Sequence, residues 1–323
     1  MVFFSILNQN FIKSIDKDLL DNYKSGFVTL LGRPNVGKST LINKLMGEKI
    51  TITSPIAQTT RNKLRAILTN STSQMVFIDT PGIHKPHHLL GEKLVKNAKS
   101  AINGVDIILV IFDSSFEPGR GDEYIKDLMI ASDKKFIIVL NKWDLVPEGI
   151  KQLRLRQYSE LFEKKIIVVH CLSAFTGEGC SQLIDSIEQY LPNGPLLYPK
   201  DTISDQPLNV IISELIREQV LLNTREEIPH SVAVNIEKVK EIQNKKKKTI
   251  TAILANIVVE RKSQKGILIG KKGLMLKNIG QSARFNIMKL IDGPVYLELF
   301  VKVIPNWRKK ESKLLEFGFK EDF

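Results

Sequence analysis

Apolar and polar positions along the chain change period several times, and each change predicts an element. The apolar run Phe27-Val-Thr-Leu-Leu31 predicts a buried strand, and Thr40–Met46 puts Leu41, Ile42 and Leu45 on one helical face. Residues 64–69 and 74–79 read as two strands joined by a turn at Asn70–Ser73. Asp106–Phe112, Phe136–Leu140 and Ile166–Val169 read as further buried strands with helices between them. Strands alternating with helices predict an α/β fold, a mostly parallel sheet covered on both faces, with ligands at the carboxyl ends of the strands.

The pattern breaks at Leu191-Pro-Asn-Gly-Pro195, Pro199 and Pro207. Beyond it lies an amphipathic helix, Leu208–Asn223, whose apolar set is Val210, Ile211, Leu215, Val220 and Leu222. Ser231–Ile242 alternates through Val232, Val234 and Ile236, and Thr249–Glu260 lies opposite it. A helix over Leu274–Leu290 and a last strand, Val295–Val303, complete an α+β pattern. The expected division is an extension at 1–24, a first domain at 25–192, a linker at 193–207, a second domain at 208–310 and a tail at 311–323. Phe3, Phe4, Ile6 and Leu7 cluster near the start, but the run is short, no basic residue precedes it, and acids balance the following lysines. A targeting segment is therefore not expected there.

Chemistry enters at Gly32-Arg-Pro-Asn-Val-Gly-Lys-Ser39, which fits Gly-x4-Gly-Lys-Ser between a strand and a helix. In that geometry the backbone N–H groups of Gly32, Arg33, Asn35, Val36, Gly37 and Thr40, in a loop that also holds Pro34, wrap a phosphate chain. Lys38 then reaches the β- and γ-phosphates and the Ser39 hydroxyl ligates Mg²⁺. Asp79-Thr80-Pro81-Gly82 ends the second strand of the 64–79 pair. There Asp79 is placed to hold the Mg²⁺ shell and the Gly82 N–H to meet the γ-phosphate. On this reading Lys38 and Gly82 are candidate catalytic residues.

Asn141-Lys142-Trp143-Asp144 follows directly on a strand, and its chemistry selects guanine. The Asp144 carboxylate accepts from guanine N1–H and the 2-amino group together, whereas adenine would leave it unpaired. A site left with an unpaired buried polar group discriminates by about 10⁴. Asn141 would brace the loop and contact N7 or O6, the Lys142 stem would cover the base, and Ser173-Ala174 would offer the Ala174 N–H to O6.

Charge changes the reading of the second domain. Fourteen Lys and Arg against two acidic residues lie between Lys238 and Lys289, a local net charge equal to the +12 of the whole chain. That concentration suggests a polyanionic partner, nucleic acid or an acidic membrane surface. Within it stands Ile267-Leu-Ile-Gly-Lys-Lys-Gly273, a Gly-x-x-Gly turn between helices in the element order of a type II KH domain. Gly270 and Gly273 let a single-stranded RNA backbone approach, and Lys271 and Lys272 pair with its phosphates. Lys277 and Arg284 are further candidates, and Ile267, Ile269 and Ile279 are candidates for the groove where bases lie. Trp307 and Arg308 fit either RNA stacking or the core. Asn244-Lys-Lys-Lys-Lys248 is either a solvated hairpin tip or a phosphate contact.

Only two cysteines, Cys171 and Cys180, are present, which excludes a disulfide framework and points to a reducing compartment. Both read as packing residues, and His84, His87 and His88 read as solvated loop residues. No apolar stretch approaches the ~18 residues of a membrane span.

The order of these motifs, with Gln58-Thr-Thr-Arg61 and Asp79-Thr-Pro-Gly-Ile-His84, resembles the Era family of ribosome-assembly GTPases, in the TRAFAC class. The resemblance covers roughly residues 25–310. It implies a Ras-like P-loop GTPase domain followed by a KH domain, with GTP/GDP and Mg²⁺ as ligands. Switch I would lie at Ser54–Arg61 with Thr60, rather than Thr59, on Mg²⁺, and Asn35 would ligate a monovalent cation, commonly K⁺. The implied partners are the 3′ region of 16S ribosomal RNA and the 30S subunit, in the cytoplasm, with no stable oligomer. Peripheral membrane association is permitted as a secondary property, and a basic domain docking on anionic lipid is the rival reading. Ile83 stands where Ras-like enzymes have a water-orienting glutamine, so slow intrinsic hydrolysis is expected. A helix over Leu89–Ile102 would report the γ-phosphate state.

Overall fold

A computed structural model of the chain describes residues 22–53, 64–80, 82, 102, 104–132, 134, 136–162, 166–225, 228–243 and 248–317. The switch I residues with Thr59 and Thr60, Pro81, Ile83, the three histidines at 84, 87 and 88, Lys245–Lys247 and the helix expected over 89–102, save Ile102, lie outside them, as do most of the extension and the end of the tail. The chain forms two compact units. One comprises the described residues of Met1–Val36, Arg65–Asp79 and Ile83–Asp205, and the other those of Gly37–Leu64, Thr80–Gly82 and Gln206–Phe323.

In the first unit, β1 (Lys24–Leu31), β2 (Leu64–Thr69), β3 (Ser73–Asp79), β4 (Ile107–Asp113), β5 (Phe136–Asn141) and β6 (Ile166–Cys171) form one sheet in the order β2-β3-β1-β4-β5-β6. From β3 across to β6 the neighbours run parallel. The turn closed by Asn70 N–H on Ser73 O (2.7 Å) makes β2 and β3 a hairpin. Every residue of β4, Ile-Ile-Leu-Val-Ile-Phe-Asp, is buried, as a parallel strand covered on both faces requires. Ile125 and Met129 of the helix Arg120–Ser132 and Tyr158 of Lys151–Glu160 pack on one face with Phe112, Phe136 and Phe162. The Phe112 and Tyr158 rings lie 5.1 Å apart and Phe136 meets Phe162 edge-on at 5.0 Å. Each fully buried side chain of this size contributes about 1.5–3 kcal/mol. The parallel register also sets Asp113 beside Asn141, bringing two strand ends to one edge.

In the second unit, β7 (Ala233–Gln243), β8 (Thr249–Val259) and β9 (Val295–Val303) form a sheet with β7 antiparallel and β9 parallel to β8. The helices Leu208–Asn223 and Leu274–Leu290 bury Ile212, Ile216, Val220, Ile279, Ala283 and Ile287 in one core with Val234, Ile253, Ala255 and Ile257 of the sheet. Two expectations are corrected here. Leu222, expected on the buried face, is 49% exposed, because Leu221 takes the inward position in the last turn and Leu222 lies 100° further round. The strand expected from Ser231 begins at Ala233, because Ile228–Ser231 form a single helical turn. That turn is held by its neighbours: Ser231 O accepts from the Trp307 indole N–H at 2.9 Å, and Ser231 Oγ accepts from Gln264 Nε2 at 2.9 Å. Trp307 is 1% exposed, so its place is in the core. Arg308 pairs with Glu260, holding that carboxyl below the usual carboxylate range.

Candidate nucleotide and RNA sites

The loop after β1 owes its curl to two left-handed residues, Asn35 (φ 64°) and Gly37 (φ 98°). Residues of alternating hand turn successive amides toward one concavity, a geometry that suits an anion. Gly32 is required on packing grounds, since a Cβ there would lie 2.5 Å from Ile111 O and 2.9 Å from Val36 Cγ2. The helix Lys38–Met46 starts directly at Gly37, with Leu41 N–H on Gly37 O (2.8 Å), so its N-terminus completes the loop. Lys38 is 6% exposed, Asn35 exposed, and Ser39 and Thr40 half-buried. Pro34 is half-buried too, and Arg33 is held by the buried Asp122, with Nε 2.7 Å from its Oδ1. Burial raises the Asp122 carboxyl pKa, and the Gly119 amide and the Arg33 charge oppose it. Asp79, at the carboxyl end of β3, and Thr80 after it are fully buried, and Gly82 is buried.

At the ends of β4 and β5 the polar groups form one network. The Asn141 amide, 2% exposed, donates from Nδ2 to Val36 O at 2.7 Å and accepts at Oδ1 from Ala174 N–H at 2.9 Å. Asn141 thus ties the phosphate loop to the loop after β6. The Ala174 N–H, expected at guanine O6, donates to Asn141 in this structure, where a buried amide needs partners at both ends. Ser173 turns its own loop, accepting at Oγ from Thr176 N–H (3.1 Å) and at its carbonyl from Gly177 N–H (2.8 Å). Lys142 is left-handed (φ 61°), and its Nζ lies 2.5 Å from Asp113 Oδ2. Asp144 follows in the turn Trp143–Leu145 with its carboxylate exposed. Burial pushes the Cys171 thiol up to about 11 and Cys180 is buried, so both cysteines pack rather than react.

A second network starts beside Ser39. Thr51 Oγ1 donates to Ser39 O at 2.9 Å, and Asn43 Oδ1 accepts from the Ile50 and Thr51 amides at 2.9 and 2.8 Å. Two residues on, the Thr53 amide and hydroxyl both donate to Glu218 of the helix Leu208–Asn223.

Between the helices Lys262–Ile269 and Leu274–Leu290, Gly270 has φ 68° and ψ 179°, a region essentially open to glycine alone. A Cβ on Gly270 would also lie 2.7 Å from Met275 Cβ. Lys272 (φ 51°) and Gly273 (φ 78°) follow in left-handed conformations, and Gly273 N–H closes the turn on Gly270 O at 3.2 Å. Lys271, Lys272 and Lys277 are exposed, with the N-terminus of a 17-residue helix behind them. Arg284 is exposed as well, its Nε donating to Val295 O at 2.7 Å. Ile267 is 54% exposed beside this turn, Ile269 is partly buried, and Ile279 is wholly buried and so excluded from any groove. Leu274, 56% exposed at the same turn, has no periodic signal to single it out. Asp113, Asp122 and Glu218 also escape sequence reasoning, because each reads as an ordinary solvated carboxylate.

The family described as 50S ribosome-binding GTPase matches residues 27–142, and the KH domain family matches residues 227–308. A P-loop GTPase that carries a KH domain is therefore the class this fold and these sites define. GTPase Era of Rippkaea orientalis is 54% identical over 299 residues, spanning 93% of each chain, and that of Synechocystis is 52% identical over 92% of this chain and 93% of its own. A solved structure of Era in complex with MgGDPNP and nucleotides 1506–1542 of 16S ribosomal RNA superposes with a TM-score of 0.85 at 37% identity, covering 93% of this chain and all of that one. An Aquifex aeolicus Era variant bound to GDP and AlF₄⁻ gives the same TM-score at 36% identity. The chain belongs to the Era family of GTPases.

Proposed function

We propose that this GTPase is a GTP-driven switch that binds 16S ribosomal RNA near its 3′ end and assists assembly of the 30S subunit in the cytoplasm. The observation that carries the RNA half is the glycine-restricted turn Gly270–Gly273, with exposed Lys271 and Lys272 at a helix N-terminus, inside the stretch that holds the chain's whole positive excess. The Era complex with 16S ribosomal RNA supports the choice of partner. The working division is a G domain at 25–192, a linker at 193–207 and a KH domain at 208–310.

In the G domain, Gly32–Thr40 and Asp79–Gly82 bind the phosphates, while Asn141, Lys142, Asp144, Ser173 and Ala174 form the guanine end. The donors available for Mg²⁺ are hard oxygens, the Ser39 hydroxyl and the buried Asp79 carboxylate, with Thr60 joining from switch I, and this set suits the ion. Held there, Mg²⁺ would supply positive charge to offset that of the phosphates. Lys38 and the Gly82 N–H stabilise the charge that builds there, and Asn35 is the ligand proposed for K⁺. With Ile83 in place of a glutamine, position 83 offers no donor or acceptor to orient the attacking water. Ile83→Ala is expected to leave the single-turnover hydrolysis rate within about threefold of wild type, and abolished turnover would sink this account.

Peripheral attachment to lipid has no observation of its own, and among the described residues no helix is long and apolar enough to cross a membrane. The deciding comparison sets an oligonucleotide of the 16S 3′ end against vesicles of anionic phospholipid. Tight RNA binding that weakens steeply with salt is expected. Binding to vesicles with indifference to RNA would overturn the reading.

A further inference from the structure

The helix Leu208–Asn223 carries a carboxylate with no exposed surface. Glu218 Oε1 accepts from the Thr53 amide at 2.7 Å and from the Thr53 hydroxyl at 3.1 Å. Its Oε2 lies 2.5 Å from Lys49 Nζ and accepts from Gln219 Nε2 at 3.3 Å. A carboxylate is tolerated without water only when a charge and several donors meet it, and the segment Lys49–Thr53 supplies most of them. Ile52 in that segment is 4% exposed and belongs to the same apolar core as Ile212 and Ile216. The segment is therefore pinned at two points. Asn43 and Thr51 tie it to the helix that begins at Lys38, beside Ser39, and Glu218 ties its end to the helix that begins at Leu208.

Thr53 immediately precedes Ser54, where switch I is expected to start. We propose that Glu218 is a positioning residue for GTP hydrolysis. It holds the chain at Thr53 on the helix Leu208–Asn223, so that RNA engaging the Gly270–Gly273 turn changes the rate of hydrolysis through this contact. Glu218 touches no substrate and acts through Thr53. The bidentate acceptance from one residue's amide and hydroxyl fixes both the path and the rotation of the chain at Thr53, which packing alone would not do. The effect on basal hydrolysis stands apart from the function proposed above, and only the RNA effect rests on it.

The test is steady-state GTP hydrolysis by the full chain over a range of GTP concentrations, with and without an oligonucleotide of the 16S 3′ end. Glu218→Ala is expected to change kcat at least about fivefold with KM for GTP within about twofold, a split that a purely structural role would not give. Glu218→Gln keeps an acceptor for Thr53 and is expected to recover most of that change. RNA is expected to shift the wild-type rate and to leave the Glu218→Ala rate nearly unmoved. Should Glu218→Ala fail to fold, Thr53→Val removes the hydroxyl donor alone and is expected to shift kcat in the same direction. A cooperatively melting Glu218→Ala protein with wild-type kcat in both conditions would overturn the proposal, as would a Thr53→Val protein that moves only KM. If RNA leaves the wild-type rate unchanged, the RNA coupling is overturned, and absence of RNA binding would also take down the function proposed above. The RNA-free comparison still decides for or against Glu218.

Discussion

Asp144→Asn is expected to weaken GTP binding about a thousandfold and to convert the protein into one that prefers xanthosine triphosphate. The wild-type carboxylate offers two acceptors to guanine, which presents two donors, N1–H and the 2-amino group. An asparagine amide puts an NH₂ where one of those donors sits, so a donor faces a donor and a hydrogen bond becomes a repulsion. Xanthine carries an oxygen at that position, and the amide suits it. Loss of such a matched pair is worth about 10³–10⁵ in discrimination. The fold is not at risk. Asp144 is exposed in the turn Trp143–Leu145, and the backbone of that turn is held by Trp143 N–H on Leu172 O (3.1 Å) and Leu145 N–H on Lys142 O (3.0 Å), neither involving the side chain. Titration with fluorescent GTP and xanthosine triphosphate checks it. Undiminished GTP affinity would mean that the base is read elsewhere.

The second large effect is expected from Gly270→Asp combined with Gly273→Asp, which should lower RNA affinity at least about a hundredfold while GTP affinity stays within twofold. Two physical reasons act together. Aspartate at Gly270 cannot hold φ 68° with ψ 179° without about 1–3 kcal/mol of strain, and its Cβ would press on Met275. Two carboxylates would also stand beside Lys271 and Lys272 and repel the phosphates those lysines attract. The charge effect can be isolated, because Gly273 (φ 78°, ψ 8°) faces open space and aspartate tolerates the left-handed region. Gly273→Asp alone is therefore expected to keep the melting temperature nearly unchanged and still weaken RNA binding about tenfold. Filter binding to an oligonucleotide of the 16S 3′ end measures both variants. Full RNA affinity in the double variant would remove the turn from the RNA site.

How legible the molecule was from its sequence depends on how far apart the cooperating residues lie. The strand before Gly32 and the helix after Gly37 were readable because hydrophobic period and glycine placement act over a few residues. The Gly270–Gly273 turn was readable for the same reason. The apolar face of Leu208–Asn223 was only partly readable. Ile211, Leu215 and Val220 are buried as expected, but Ile212 and Ile216, outside the expected set, are fully buried as well, and which of Leu221 and Leu222 points inward depends on where the core ends. The helical turn Ile228–Ser231 gave no periodic signal, since it exists to present Ser231 to Trp307 and Gln264 from elsewhere in the chain.

From its residues alone this protein is an α/β P-loop GTPase joined to a basic KH domain, because strand and helix periods, left-handed glycines and the donor–acceptor code for guanine are all local properties of short segments. Tertiary structure alone decided which charges leave water. Asp113 meets Lys142 across 29 residues and Glu218 meets Thr53 across 165. A carboxylate that is buried on folding looks, in the sequence, like one that stays solvated. Only the packing of distant elements supplies the donors that make its burial tolerable, and only that packing reveals it.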